Sequence, residues 1–196
     1  MKALSKSIMP QHQKIINLNT AALQEGLHLL SLLDVTQYRQ GFKPAFQSNI
    51  GAHFRHVLEH YQCFLVQISE QEFRYDNRPR DQHLEMDIDY ANETIVKLIE
   101  NLSDLDESLF SMDYTVGEQL AENEAQIVTA STTLARELMF LQAHTVHHFA
   151  MIAAMCRGIG VFPEEGFGVA IPTRNYTKVL DKKKSDASKQ ESLCAQ

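Results

Sequence analysis

Cysteine is scarce in this 196-residue chain: Cys63, Cys156 and Cys194 form an odd set without close pairing. That argues against a disulfide framework and favours the cytoplasm. Basic charge is also lacking, since 18 Lys and Arg face 25 Asp and Glu, for a formal net charge of −7. No positive field is available to attract nucleic acid, and the only lysine run lies in the tail. Long apolar runs are absent too. None approaches the roughly 18 residues that a membrane span requires, and the opening MKALSKSIMPQHQK has no continuous apolar core of the kind a signal peptide carries. No internal repeat is visible. What remains is 44% hydrophobic and 22% charged residues, the balance of a soluble globular protein with one core, here read as cytoplasmic.

The stretch that organises this core runs from Ser131 to Gly158. Ser131 or Thr132 is suited to cap a helix, and Gly158, Gly160 and Pro163 stop it. Leu134, Leu138, Leu141, Ile152 and Met155 recur at helical spacing and form its inward stripe. His144 and His148 lie at the edge of that stripe, one turn apart on the same side, while His147 points further round. Two neutral imidazoles at this spacing suit a single metal ion, or equally a structural role, so a third ligand must come from elsewhere.

Periodicity gives three further helices. The first covers about residues 11 to 34, with Ile15, Ile16, Leu23, Leu27, Leu30 and Leu33 apolar, Gly26 weakening it, and His28 a surface or packing residue. The second begins after Ser48, read as its cap, and runs to about Ser69; His53, His56 and His60 share one edge of its apolar face. Six of nine histidines thus fall in two helical windows. If the windows face each other they make a histidine pocket; otherwise the rings are partly solvated. The third helix, from about Gln82 to Leu102, is capped by Asp81. Its Glu85 and Asp89 are either a solvated pair or partners of histidine N–H groups. Before it, Arg78 and Arg80 either hold an anionic substrate at a pocket mouth or pair locally with Asp76 and Asp81.

Residues 103 to 130 alternate in a strand-like way around a polar centre, as in a short hairpin or extended crossover. The Gly- and Pro-punctuated segment VFPEEGFGVAIPTRNY is expected to lie over the bundle. Residues 181–196 are polar and lysine-rich, with the composition of a disordered tail. The expected fold is all-α: one four-helix bundle over residues 1–180, with an irregular or hairpin-like crossover before the fourth helix.

In these features the chain resembles the DinB/YfiT-like superfamily of candidate metalloenzymes, over roughly residues 10 to 160. AHTVHHFAMI matches the HxxxH pair of that family's fourth helix at His144 and His148. GAHFRHVLEHY matches its second-helix histidine at His56, and His60 falls where some relatives carry a further histidine. The resemblance implies a divalent metal held by His56, His144 and His148. Helical phase instead places His53 and His60 nearer the apolar stripe than His56, so these two stand as alternates.

Three neutral ligands leave coordination positions open, as a catalytic site requires. Zinc, nickel and iron all suit such a set. The resemblance further implies a transferase in which the metal lowers the pKa of a low-molecular-weight thiol that attacks a small electrophile. A metal-dependent hydrolase, a protein that senses or stores a metal or small ligand, and a helical interaction module are the alternatives. Cys63 and Cys156 are read as buried packing residues rather than nucleophiles. No nucleic-acid or membrane partner is expected, and a homodimer is left open.

Overall fold

Four long helices carry the core, and each starts and stops for a local reason. The computed structural model describes residues 9–45, 47–119 and 126–194, with side chains as far as residue 183. Helix α1 (Gln11–Leu30) enters behind Pro10, whose missing N–H costs nothing at a helix start. Gly26 lies within it because Phe149 and Phe54 pack there; a Cβ would come 3.0 Å from the Phe149 ring. The short α2 (Val35–Arg39) is closed by a capping box between Asp34 and Gln37. In α3 (Ile50–Gln67) the cap is Asn49, whose side chain accepts the Ala52 N–H at 2.7 Å. Ser48, expected to cap it, is left free for another partner.

The third helix of the sequence reading is two helices. Asp81 does cap the first, α4 (Gln82–Met86). Asp87 then leaves helical geometry and caps α5 (Ile88–Ser103) by accepting the Asp89 and Tyr90 N–H groups. Its expected stripe of Ile88, Ala91, Ile95, Leu98 and Leu102 is buried. Helix α6 (Leu134–Gly158) is capped by Thr133, because Ser131 and Thr132 are already committed to a strand. Helix α1 packs on α5 and α6, and α3 packs on the same two.

The all-α expectation is corrected by a three-stranded mixed sheet. Strands β2 (Tyr114–Gln119) and β3 (Ile127–Thr132) form the hairpin that alternation suggested, antiparallel from Tyr114 opposite Thr132 to Gln119 opposite Ile127. The polar residues 120–125 between the two strands lie outside the described residues. Strand β1 (Glu72–Phe73) joins the other side of β2 in parallel. Two residues are too short to show a period, so the pairing had no sequence signal. Aromatic packing holds it: Phe73 stacks on Phe64 of α3 and on Tyr114 of β2, each at 5.4 Å between centroids. With α2, α4 and α7 (Ile171–Cys194), the described residues include seven α-helices rather than four.

The Gly- and Pro-rich segment covers the helices only as far as residue 170. Phe167 stacks on Phe149 at 4.7 Å. From Ile171 the chain is helical, and Arg174 makes a forked pair with Glu25 of α1 at 2.8 and 3.0 Å. Helix α7 continues into the residues whose composition suggested a polar tail. The side chains of 184–196, Cys194 included, and residues 1–8 lie outside the described set. Among the described residues no helix is long and apolar enough to cross a membrane.

Candidate metal centre

A buried polar knot sets the rotation of α6, and with it the aim of its histidines. Asn19 of α1 is fully buried and donates to the carbonyls of Ile15 at 2.8 Å and Leu138 at 3.0 Å. Tyr61 of α3 donates to Asn19 Oδ1 at 2.9 Å. Thr145 Oγ1 lies 3.1 Å from the Tyr61 hydroxyl and 2.7 Å from the Leu141 carbonyl. Each group would cost roughly 1–3 kcal/mol if left unpaired, so the three helices are held in one register. Thr145 faces this knot, so His144 and His148 emerge on the side that meets α3.

There five histidines converge. His56 Nε2 lies 2.9 Å from His144 Nε2, and His53 Nδ1 lies 2.9 Å from His148 Nδ1. The His56 ring is 4.4 Å from His60, 4.9 Å from His144 and 4.5 Å from His148. One ring nitrogen from each of His56, His60 and His144 lies within 4.8 Å of the others, a group able to hold a metal ion. His148 is outside that trio, though its ring is 4.5 Å from that of His144. Helical phase was right about depth, since His53 and His60 are buried and His56 is less so. It did not identify the hub. His56 is central because α6 crosses on its side of α3.

The tautomers suit ligation. His60 Nδ1 lies 2.6 Å from the His56 carbonyl, which can only accept, so Nδ1 carries the proton and Nε2 its lone pair. Burial first, then the neighbouring imidazoles, with Arg78 also acting on His56, push His56 down to about 3 and His148 down to about 2. His144 is lowered to about 4, chiefly by burial with His147 adding to it. His60 is lowered to about 4 by burial, against the opposing pull of its backbone hydrogen bond. His53 is lowered for the same first reason. All five are therefore neutral at pH 7 and able to ligate.

These shifts carry a stability consequence. In the unfolded chain each imidazole protonates near 6.5; the folded protein resists protonation until far lower pH. The unfolded state then binds more protons between those values, so stability rises with pH in this window. The metal-free protein should lose thermal stability as pH falls from 6.5 towards about 4, which melts across a pH series will measure. A melting temperature flat between pH 7 and 4 would show that the histidines are not buried together.

Around the rings, Tyr75 stacks on His60 at 5.4 Å and donates to Glu137 Oε2 at 2.9 Å, and Phe140 stacks on His144 at 5.5 Å. Arg78 reaches the cluster, with Nη1 3.4 Å from His60 Nε2 and also bonded to the Tyr75 carbonyl. Its Nε makes no hydrogen bond and lies 3.8 Å from Glu59 Oε2. Arg80 instead lies exposed in left-handed backbone at φ 54°. Neither pairs with Asp76 or Asp81 as the local alternative required, because Arg74 takes Asp76 and Asp81 caps α4. Glu85 pairs with Arg55, not with a histidine. Cys63 and Cys156 are buried free thiols with raised pKa values, burial being the first cause.

Glu59 escaped the sequence reading. It is buried, accepts the Asp81 N–H at 2.6 Å and faces Arg78. Burial raises its pKa, against the opposing pull of that N–H, Arg55 and Arg78. A carboxylate one residue from His60 was the only hint, and nothing in helical period marks it as paired.

No known family profile matches the chain, and no solved structure matches it. A stretch of 104 residues, 53% of this chain, is 25% identical to FK506-binding protein 5 of Rhizopus delemar, of which it spans only 27%. So partial a likeness shows no family; what the chain displays by itself is a histidine group able to hold a metal ion.

Proposed function

We propose that this chain is a metal-dependent enzyme of the DinB/YfiT type, a transferase that uses a low-molecular-weight thiol. The observation that carries the metal is the convergence of His56, His60 and His144 nitrogens within 4.8 Å. The thiol rests on the resemblance, and the charge of the site favours it. The three donors are neutral, so the charge of a divalent ion would go uncompensated by protein ligands, and Arg78 adds a further cation beside His60. Such a site selects an anion as its next ligand.

A bound divalent ion would supply a lowered thiol pKa, so that the thiolate exists at neutral pH. His60 holds its lone pair inward through its Nδ1 hydrogen bond, and Phe140 and Tyr75 shield that side from water. Arg78 is placed to hold an anionic group of the co-substrate; Arg80, exposed on the same loop, can serve at most its outer edge. In the transfer, the thiol proton leaves to solvent and the sulfur pair forms the new carbon–sulfur bond. The leaving group departs with the electrons of the bond it breaks.

The test is cobalt-substituted protein mixed in turn with glutathione, bacillithiol, mycothiol and cysteine. Sulfur ligation should bring charge-transfer absorption with one of them, accompanied by conjugation of a model electrophile. Fully loaded protein with no spectral response to any thiol would refute the thiol chemistry. Chelation should leave the circular dichroism helical, because the core closes without the ion, unlike a zinc finger. Metal at 100- to 1,000-fold excess over its dissociation constant should add on the order of 3–4 kcal/mol. A random-coil spectrum after chelation would instead mark the metal as structural.

A further inference from the structure

Ser48, His53 and His148 form a hydrogen-bonded chain that the metal trio does not use. Ser48 Oγ lies 2.8 Å from His53 Nε2, and His53 Nδ1 lies 2.9 Å from His148 Nδ1. Ser48 is free for this because Asn49 took the helix cap. Two neutral imidazoles meeting through their Nδ1 atoms must share one proton, so one ring donates and the other accepts. If His148 donates, its Nε2 keeps a lone pair for the cluster, and His53 passes its own Nε2–H to Ser48. If His53 donates, His148 carries its proton on Nε2 and cannot ligate there. Ser48 can act as donor or acceptor, so by itself it permits both directions.

We propose that Ser48 and His53 are positioning residues that hold His148 as the Nδ1–H tautomer, keeping its Nε2 lone pair for the ion in the role that the family resemblance implies for this residue. This rests on the metal-binding reading above. The ring of His148 lies beside the trio, its centroid 4.5 Å from that of His56 and 4.5 Å from that of His144. A histidine ligand whose other nitrogen donates to a fixed acceptor is oriented and made more basic, and loss of such an acceptor costs about 10- to 100-fold in metal affinity. Here the acceptor is another imidazole, itself anchored by a hydroxyl that is partly open to solvent.

The experiment uses zinc-loaded full-length protein, with zinc affinity read by chelator competition and ring tautomers by long-range nitrogen–proton NMR of the histidines. In the wild type, His148 should bind zinc through Nε2 and carry its proton on Nδ1. His53→Leu should lower zinc affinity about 10- to 100-fold and leave His148 in mixed tautomers. His53→Asn, which carries Oδ1 where histidine carries Nδ1, should recover most of that affinity. Ser48→Ala should cost only a few-fold, since water can take the terminal proton. Wild-type His148 signals unmoved by zinc while His56, His60 and His144 shift would overturn the chain and leave the metal site standing. His53→Leu with unchanged affinity and tautomer would overturn it too. Wild type that binds no zinc would overturn both readings. The wild-type tautomer needs no substitution, so the test survives a variant that fails to fold.

Discussion

Alanine at His144 should abolish stoichiometric metal binding, lowering affinity by on the order of 100-fold or more. The estimate exceeds the 10- to 100-fold typical of losing a mere supporting partner, because His144 supplies a ligand nitrogen 2.9 Å from that of His56. His56→Ala and His60→Ala should behave alike, since each removes one corner of the trio. His148→Ala should cost less than His144→Ala, as the three close nitrogens of the trio remain, yet at least as much as His53→Leu, which acts through it. All four positions are helical, and alanine is the best helix former, so the variants should fold. Elemental analysis of each purified protein, with a thermal melt as control, gives the result. Full metal occupancy in His144→Ala would refute the site. Equal losses for His148→Ala and His144→Ala would move the centre towards the set that the family resemblance implies.

A second large effect is expected far from any ligand nitrogen. Gly51, the second residue of α3, packs directly against α4. A Cβ there would collide with the Glu85 carbonyl oxygen and come 2.8 Å from Tyr38 Cε1. Neither can step aside cheaply. Glu85 offers backbone, and Tyr38 is fully buried with its hydroxyl donating to the Leu84 carbonyl at 2.6 Å. Gly51→Ala gains up to ~1 kcal/mol in helix propensity, but overpacking of this kind costs about 1–3 kcal/mol and more where backbone must move. The clash should win, giving a net loss of about 2 kcal/mol or more in chemical denaturation. Metal affinity should also fall, because His53 and His56 follow within two turns on the same helix. Gly158→Ala is the control: a Cβ there meets nothing within 4 Å, and stability should hold. Equal stabilities of the two variants would show that α3 and α4 are not packed as described.

Much of this molecule could be anticipated from periodicity. The stripes of α5 and α6 are buried as expected, and the His144–His148 spacing on an amphipathic helix marked the right face. Caps were less secure, and each miss has a neighbour as its cause. Ser48 lost the cap of α3 to Asn49, and Ser131 and Thr132 went to β3. The break at Asp87 sits inside an unbroken apolar stripe, which continues from Leu84 to Ile88 on both sides of it. Apolar period reports the face that is buried, not the continuity of the backbone beneath it.

The sequence by itself determined that two helices each present a row of histidines beside an apolar face, because side-chain direction in a helix follows residue spacing alone. It likewise suggested the hairpin, beside an extended crossover, because its strands are adjacent in the chain. Only the tertiary structure decided which histidines meet. The crossing of α6 over α3, fixed by the Asn19–Tyr61–Thr145 knot, made His56 the hub and brought His60 into the trio. Tertiary structure also decided the parallel pairing of β1 with β2, more than 40 residues apart, and the placement of Arg78 between His60 and Glu59. These are contacts between distant segments, and their energies depend on packing that no local pattern encodes.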